Sequence, residues 1–371
     1  MADSITNIPP TGFHGFFKKN GTALILLLIF ILFPFVISWI TGQSVNEGKP
    51  KFWQGQLIMF FIMAVYTMSY DLLMGYTGIL SFGHAAFFGA GAYTMALWIN
   101  HVMPNILSTY RVSLPGGVDI TEALLFVLAF VLVIIVSILM GLLFSGTSAR
   151  VKGVYFAMIT LAMAEAFHIL SKATDFVKWT GADEGLHGVP VPAWINPTQH
   201  RLRFYFIALF FLVVMFLIIK RVTESPTGKV FVALRENDSR VRMIGYNPAV
   251  YRSLALVISA ISAGLAGAMI SLWNMSATPS MTSAASTINA LIMTILGGVG
   301  TLTGPILGTG LMQIFSQFFY QWFGPRWPLV FGLIFIALVI FLPYGIVGTW
   351  RLHQVEIQQG WQRFVQKFAK K

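Results

Sequence analysis

Hydrophobic residues fall into ten stretches along the chain, separated by shorter polar segments. A stretch of about 20 apolar residues predicts a membrane-spanning helix, because a helix of that length crosses the roughly 30 Å hydrocarbon core of a bilayer. The run at 124–144, in which Ser137 is the one polar residue, is the clearest example. The ten predicted stretches are 22–40, 54–73, 79–100, 123–145, 153–171, 204–220, 251–273, 286–298, 303–322 and 328–348.

The first, third and eighth stretches are irregular. Lys18 and Lys19 precede the first, as basic residues do in a signal peptide, but its length and the lack of a small-residue cleavage site predict a retained helix. Glycines such as Gly83 and Gly89 interrupt the third stretch. The eighth is too short to span the bilayer unless its helix begins soon after Met281.

Composition supports the membrane assignment. Of 371 residues, 56% are hydrophobic and 10% are charged, and the mean hydropathy is +0.75. These values exclude an ordinary soluble domain, in which about a quarter of the residues are charged. We therefore predict an all-α polytopic membrane protein with about ten transmembrane helices. The absence of cysteine excludes disulfides, thiolate metal sites, thiol nucleophiles and iron–sulfur clusters.

The distribution of basic residues predicts the orientation. A net charge of +11 would suggest a nucleic-acid partner in a soluble chain, but in a membrane chain it is typical of cytoplasmic loops rich in Lys and Arg. Ten crossings place both termini on one side, where 16 of the 24 basic residues then lie. Both termini are therefore predicted to be cytoplasmic. The chain divides into an N-terminal tail at 1–20, a transmembrane domain at 21–348 and a basic tail at 349–371.

Two polar loops stand out, one predicted outside at 172–203 and one predicted inside at 221–250. In the inside loop, Pro226 suits the start of one short helix, and Asp238 is the expected cap of a second. The second helix carries Val241 and Ile244 on one face and ends at Gly245. Two short amphipathic helices would form a docking surface for a cytoplasmic protein. The alternative is a solvated loop lying against lipid headgroups.

Two glycine-rich segments, 74–93 and 296–308, each have two interpretations. Glycine permits a helix to break or to pack closely against another helix. Ser81, Gly83 and His84 would thus line a translocation pathway or lie in a tight helix contact. The second segment forms a re-entrant helix or a packing face. The segments share a Gly-x-x-Gly-x-Leu-Ser/Thr pattern, which does not indicate an inverted repeat because both copies precede outward-going helices.

Few ionisable residues lie inside the predicted spans. Asp71 is placed at the inner end of the second span, near the membrane interface. Glu165 and His168 are three residues apart on the fifth span and share a helix face. They would form a proton relay, a contact for a substrate ammonium group, or a mutually satisfied pair, because unpaired charges are costly in a membrane.

No motif for enzymatic chemistry is present. The chain lacks the phosphate-binding pattern G-x-x-x-x-G-K-[ST] and the zinc pattern H-E-x-x-H, and we expect neither a cofactor nor a metal. Active transport through it would need an ATPase partner or an ion gradient. The alternatives are an ion-coupled secondary carrier that uses Glu165 and His168, and a passive channel for urea or short amides.

Five segments carry a resemblance to a known family. They are DLLMGYTGILSFGH at 71–84, GVYFAMITLA at 153–162, ALREND at 233–238 with Gly245, SAISAGLAG at 259–267 and GGVGTLTGP at 297–305. In this order, and within residues 55–345, they resemble the permease subunits of branched-chain amino-acid ABC importers of the LivM-like type. That family also includes permeases for urea.

The resemblance implies a non-enzymatic permease subunit of the bacterial plasma membrane. Its implied partners are a second related permease, two ATP-binding subunits that hydrolyse ATP, an extracytoplasmic substrate-binding protein and membrane lipid, with no nucleic acid. The pathway residues are assigned as Ser81, Gly83, His84, Thr160, Glu165, Gly297 and Gly298. The ATPase-coupling residues are assigned as Arg235, Glu236, Asn237, Asp238 and Gly245.

Overall fold

The computed structural model describes residues 13–109, 120–148, 151 and 153–350, which form a bundle of α-helices. Two-residue strands, β1 Leu186–His187 and β2 Ser276–Ala277, pair antiparallel. The protein is thus an all-α polytopic membrane protein, as predicted. The helices are α1 Phe13–Thr41, α2 Gly48–Asp71, α3 His84–Leu97, α4 Met103–Thr109, α5 Ile120–Ser148, α6 Val154–Lys172, α7 Val177–Thr180, α8 Arg201–Glu224, α9 Pro226–Glu236, α10 Asp238–Met243, α11 Pro248–Asn274, α12 Ala284–Gly297, α13 Thr303–Phe323 and α14 Trp327–Phe341.

Each of the ten predicted stretches contains a helix, but the helices differ in length. Within the described residues, six segments are long and apolar enough to cross a membrane, and the last of them includes both α13 and α14. In the third stretch the helix begins only at His84, and in the eighth it begins at Ala284. Both helices have 14 residues and span about 21 Å, less than a bilayer core. Ten crossings remain a prediction.

Helices α2 and α11 form the centre of the bundle. In their most apolar windows, 78% and 67% of the residues are buried, against 28% in α6. Small residues let the backbones approach: a Cβ atom on Gly91 of α3 would overlap the carbonyl of Gly264 in α11. A Cβ on Gly267 would likewise overlap the carbonyl of Phe88. This close packing gains dispersion contacts where lipid provides no hydrophobic drive between helices.

The polar loops lie at opposite ends of the bundle, because α11 runs from the α9–α10 loop to strand β2. We call these the α9 end and the β1 end. The predicted inside loop at 221–250 is largely helical: α8 continues to Glu224 and α11 starts at Pro248. Helix α1 begins at Phe13, inside the predicted tail at 1–20. Residues 1–12 and 351–371 of the two predicted tails lie outside the described residues.

Candidate functional site

Three chain segments meet at the α9 end: helix α9, the π-helical turn Leu72–Tyr76 that continues α2, and the turn between α12 and α13. Nη1 of Arg235 donates a hydrogen bond to the carbonyl oxygen of Gly75 at 2.5 Å. The backbone N–H of Gly300 donates to Oδ1 of Asp71 at 2.7 Å. We call these four residues the junction. It ties the loop helix to the ends of two membrane helices.

Glycine is required in the junction because the backbones nearly touch. A Cβ atom on Gly75 would overlap Oδ1 of Asp71 and the backbone nitrogen of Gly300. Gly78, at φ +70°, would place a Cβ 2.8 Å from Cγ of Arg235. The two copies of the Gly-x-x-Gly pattern therefore contact each other in space, which the pattern alone does not indicate.

The carboxylate of Asp71 is completely buried by protein, although the sequence placed it near the membrane interface. Its Oδ2 atom has no hydrogen-bond partner among the described residues. The guanidinium of Arg235 lies close enough to interact with the carboxylate electrostatically. A buried carboxylate is tolerated when such a cation and a backbone N–H compensate its lost hydration, so removal of either partner is costly.

The two loop helices form largely as predicted. The hydroxyl oxygen of Ser225 accepts a hydrogen bond from the backbone N–H of Gly228, and Pro226 occupies the first turn of α9. The predicted cap of α10 was wrong: Asn237, not Asp238, accepts hydrogen bonds from the backbone N–H groups that start this helix. Asp238 instead forms a 2.6 Å ion pair with Arg252 at the start of α11, which fixes α10 against the bundle.

The loop has an inner and an outer surface. Val230, Leu234 and Val241 are buried and pack together against the bundle. The outer surface carries Met243, 83% exposed, and Ile244, 68% exposed. The sequence placed Val241 and Ile244 on one face of α10, but α10 ends at Met243, so Ile244 follows the helix and points outward.

The five predicted coupling residues are consequently divided between these surfaces. Arg235 reaches inward to the junction, whereas the side chain of Glu236 is 70% exposed. Asn237 and Asp238 hold α10 in place. Gly245, at φ +91°, is in the turn that leads to α11, where a side chain would be strained.

A cleft of about 570 Å³ opens beside the junction. Its walls come from the π-helical turn, from the end of α12 and from the segment after α14. Among the described residues that line it, Arg235 is the one with a charge. The lining residues are Met74, Arg235, Ile295, Val299, Pro343, Tyr344 and Gly348.

The predicted pathway residues of the third stretch are packed inside the bundle. His84 is fully buried, and its Nε2 lies 2.8 Å from the hydroxyl of Ser69. Because that hydroxyl donates its proton to the carbonyl of Tyr66, Nε2 of His84 is the donor to Ser69. The hydroxyl oxygen of Thr160 accepts from the backbone N–H of Phe82.

Ser81 and Gly83 lie in the same contact. Ser81 is fully buried, and its hydroxyl oxygen accepts from the backbone N–H of Gly83. A Cβ on Gly83 would overlap the ring of Phe144. These contacts support the tight-packing interpretation in this conformation, and a pathway role stays a prediction.

Gly297 and Gly298 end α12. A Cβ on Gly297 would overlap the carbonyl of Gly304, and Gly298 adopts φ +123° in the turn toward α13. The glycines therefore form a packing face between α12 and α13 and allow the sharp turn that presents Gly300 to Asp71.

Glu165 and His168 do not form the satisfied pair that was one interpretation of the sequence. Nδ1 of His168 bonds to the carbonyl oxygen of Pro279 and lies 3.0 Å from the hydroxyl of Thr282. The side chain of Glu165 is half-buried, and no partner for it is found among the described residues. Within the same residues, no three His, Asp or Glu side chains converge as a metal site requires.

The contact between Asp71 and Gly300 was not predicted from the sequence. Two signals for it were present: a carboxylate inside an apolar stretch, which needs a partner, and the repeated glycine pattern. Neither identified the partner, because the two residues are 229 positions apart in the chain.

Comparison with known proteins adds an independent result. A family described as branched-chain amino acid transport system / permease component matches residues 54–342. The high-affinity branched-chain amino acid transport system permease proteins LivM of Salmonella typhimurium and Escherichia coli are 25% and 24% identical, over 92% of this chain and 78% of theirs. A probable LivM of Methanocaldococcus jannaschii is 23% identical over 78% of this chain and 92% of its own. No solved structure shows a significant match.

Proposed function

Because this chain belongs to the permease family of branched-chain amino acid transport systems, we propose that it is a membrane subunit of an ABC importer. Branched-chain or related hydrophobic amino acids cross the bilayer through the assembly, and partner subunits hydrolyse ATP. The chain itself carries no phosphate-binding motif, so the energy must reach it through a contact.

The observation that carries this proposal is the two-sided loop formed by α9 and α10. Its outer surface exposes Met243, Ile244 and the carboxylate of Glu236, a mixture of apolar and charged groups that suits a protein partner. Its inner surface is held to the bundle by Arg235 and by the ion pair between Asp238 and Arg252. A partner that moves the loop therefore moves the bundle.

The junction supplies a route for that movement. A displacement of α9 moves Gly75 through the hydrogen bond from Arg235. The same displacement reaches Gly300, in the α12–α13 turn, through its hydrogen bond to Asp71. The proposed mechanism is alternating access, in which packed helices shift between two arrangements and expose the pathway first to one side and then to the other.

The proposal also assigns the orientation of the chain in the membrane and the positions of its partners. The α9 end and both termini face the cytoplasm of a bacterium, in accord with the excess of basic residues there, and the chain crosses the plasma membrane ten times. The β1 end faces a substrate-binding protein, and a second related permease completes the pathway. Ser81, Gly83, His84 and Thr160 lie where the start of α3 and the segment before it contact α6, and this contact moves during the cycle. Gly297 and Gly298 form the hinge between α12 and α13.

The experiment measures leucine transport by reconstituted vesicles that contain either the chain alone or the complete assembly of the chain, the second permease, the substrate-binding protein and the ATPase subunits. Leucine should accumulate against a gradient only with the ATPases and ATP, and an uncoupler should have no effect while ATP is maintained. Accumulation by the chain alone, or its collapse with the uncoupler, would favour an ion-coupled carrier. Downhill flux through the chain alone would favour a channel. Either result would refute the proposal.

A further inference from the structure

Glu165 is the unusual residue on the outward surface of α6. It is the twelfth residue of this 19-residue helix, so its Cα lies about 16 Å from the helix start, well within the thickness of a bilayer core. The exposed neighbours on its face are apolar and include Met158, Leu161 and Ile169. A carboxylate in such a position is costly unless it is paired or faces water.

Nothing in the described part of the chain pairs with this carboxylate. His168, one helical turn away, bonds to the segment before α12 instead. A second polar residue is found on the adjoining helix: α12 contacts α6, and Asn289 of α12 is exposed beside the apolar Ile288. Asn289 also has no partner among the described residues. Two contacting helices thus each carry one polar side chain that has no partner among the described residues.

From this arrangement we infer that Glu165 and Asn289 form a polar contact site for substrate in the pathway, where the carboxylate of Glu165 binds the ammonium group of a zwitterionic amino acid. The inference rests on the proposed function and adds the chemistry of the site. The choice of ligand follows from charge complementarity. An ammonium group stripped of water needs a carboxylate, and an amide can accept from the ammonium or donate to the substrate carboxylate. The apolar residues around the pair suit a branched aliphatic side chain.

The site can be tested by protection from a hydrophobic carbodiimide, which modifies carboxyl groups in apolar surroundings. The complete transporter is treated, and mass spectrometry measures the fraction of Glu165 left unmodified, so that the N-acylurea and any amide formed when an added amine displaces the urea from the activated carboxyl both count as modification. Leucine and isopentylamine, which carries the ammonium group without a carboxylate, should protect Glu165. The related 4-methylpentanoate, which lacks the ammonium group, should not. Equal modification in all samples would overturn the inference.

The same experiment separates substrate binding from subunit contact. If Glu165 pairs with a basic residue of a partner subunit, it resists modification in the assembled transporter even without substrate and reacts only in the isolated chain. That result would also overturn the inference. The ATP dependence of uptake is measured in parallel, and its loss would refute the proposed function without altering the protection pattern.

Substitution provides the second test. Glu165→Gln should lower the kcat/KM of ATP-driven leucine uptake by about tenfold to a hundredfold, the loss expected for one charge-assisted hydrogen bond. Glu165→Asp should retain part of the activity because it keeps the charge. The matched control is Glu47→Gln, which removes an exposed carboxylate from the loop between α1 and α2. Unchanged uptake by a well-expressed Glu165→Gln transporter, or failure of that variant to assemble with its partners, would contradict substrate binding.

Discussion

Replacing Gly75 with alanine tests the junction most directly. Gly75 has an ordinary backbone conformation, so alanine introduces no strain in φ. The added Cβ would instead overlap Oδ1 of Asp71 and the backbone nitrogen of Gly300, and would lie 2.7 Å from the Cα of Gly300. Because one of the obstacles is a backbone segment, a side-chain rotation cannot relieve the overlap. The hydrogen bond between Asp71 and Gly300 must lengthen or break.

The expected loss in the free energy of unfolding is the sum of three contributions. Loss of a hydrogen bond to a charged acceptor costs about 1.5–3 kcal/mol, and overpacking of a dense interior adds about 1–3 kcal/mol. The better helix propensity of alanine offsets this loss by at most about 1 kcal/mol. The net loss in the free energy of unfolding is therefore about 1.5–6 kcal/mol. The matched control is Gly332→Ala in α14, where a Cβ meets no atom within 4 Å and no loss is expected.

The assay combines the thermal unfolding of the purified transporter with ATP-driven leucine uptake. Gly75→Ala should unfold at a lower temperature than Gly332→Ala and should transport poorly. Asp71→Ala removes one of the two obstacles, so Gly75→Ala should cost less in that background than in the native chain. Such a difference of about 1 kcal/mol or more would demonstrate coupling between contacting residues. A Gly75→Ala protein as stable and active as the control would refute the packing described for the junction.

Three further predictions follow from the loop and the core. Glu236→Ala should lower ATP-driven uptake but not the unfolding temperature, whereas Arg235→Ala should lower both, since only Arg235 bonds to the bundle; equal unfolding temperatures for the two variants would contradict the two-sided loop. Asn237→Ala should cost about 1 kcal/mol locally, because α10 loses its cap, and faster hydrogen exchange confined to α10 would reveal it. Gly91→Ala should destabilise the bundle by about 1–3 kcal/mol through overlap with the backbone of α11; Gly146→Ala in α5, where a Cβ meets no atom within 4 Å, is its control, and similar unfolding temperatures for these two would argue against close helix contact.

The loop helices α9 and α10 show which features of a helix a local sequence pattern can predict. Pro226 correctly indicated the start of α9, because a proline in the first turn and a preceding Ser cap are local features. The cap of α10 was assigned one residue too late, since Asn237 and Asp238 are equally good capping residues by type. What separates them is Arg252, which lies in the next helix and pairs with Asp238.

Membrane helices, the polar loop between α8 and α11, and the glycine-rich segments were all predictable from the linear pattern. The bilayer enforces them locally: each apolar stretch must form its own backbone hydrogen bonds wherever it packs. The direction of each polar side chain was not predictable in this way. Arg235 turns to Gly75, 160 positions earlier, while its neighbour Glu236 faces outward. His168 likewise bonds to Pro279 and leaves Glu165 unpaired. Such contacts join residues far apart in the chain, and their energies arise only once packing has brought the helices together.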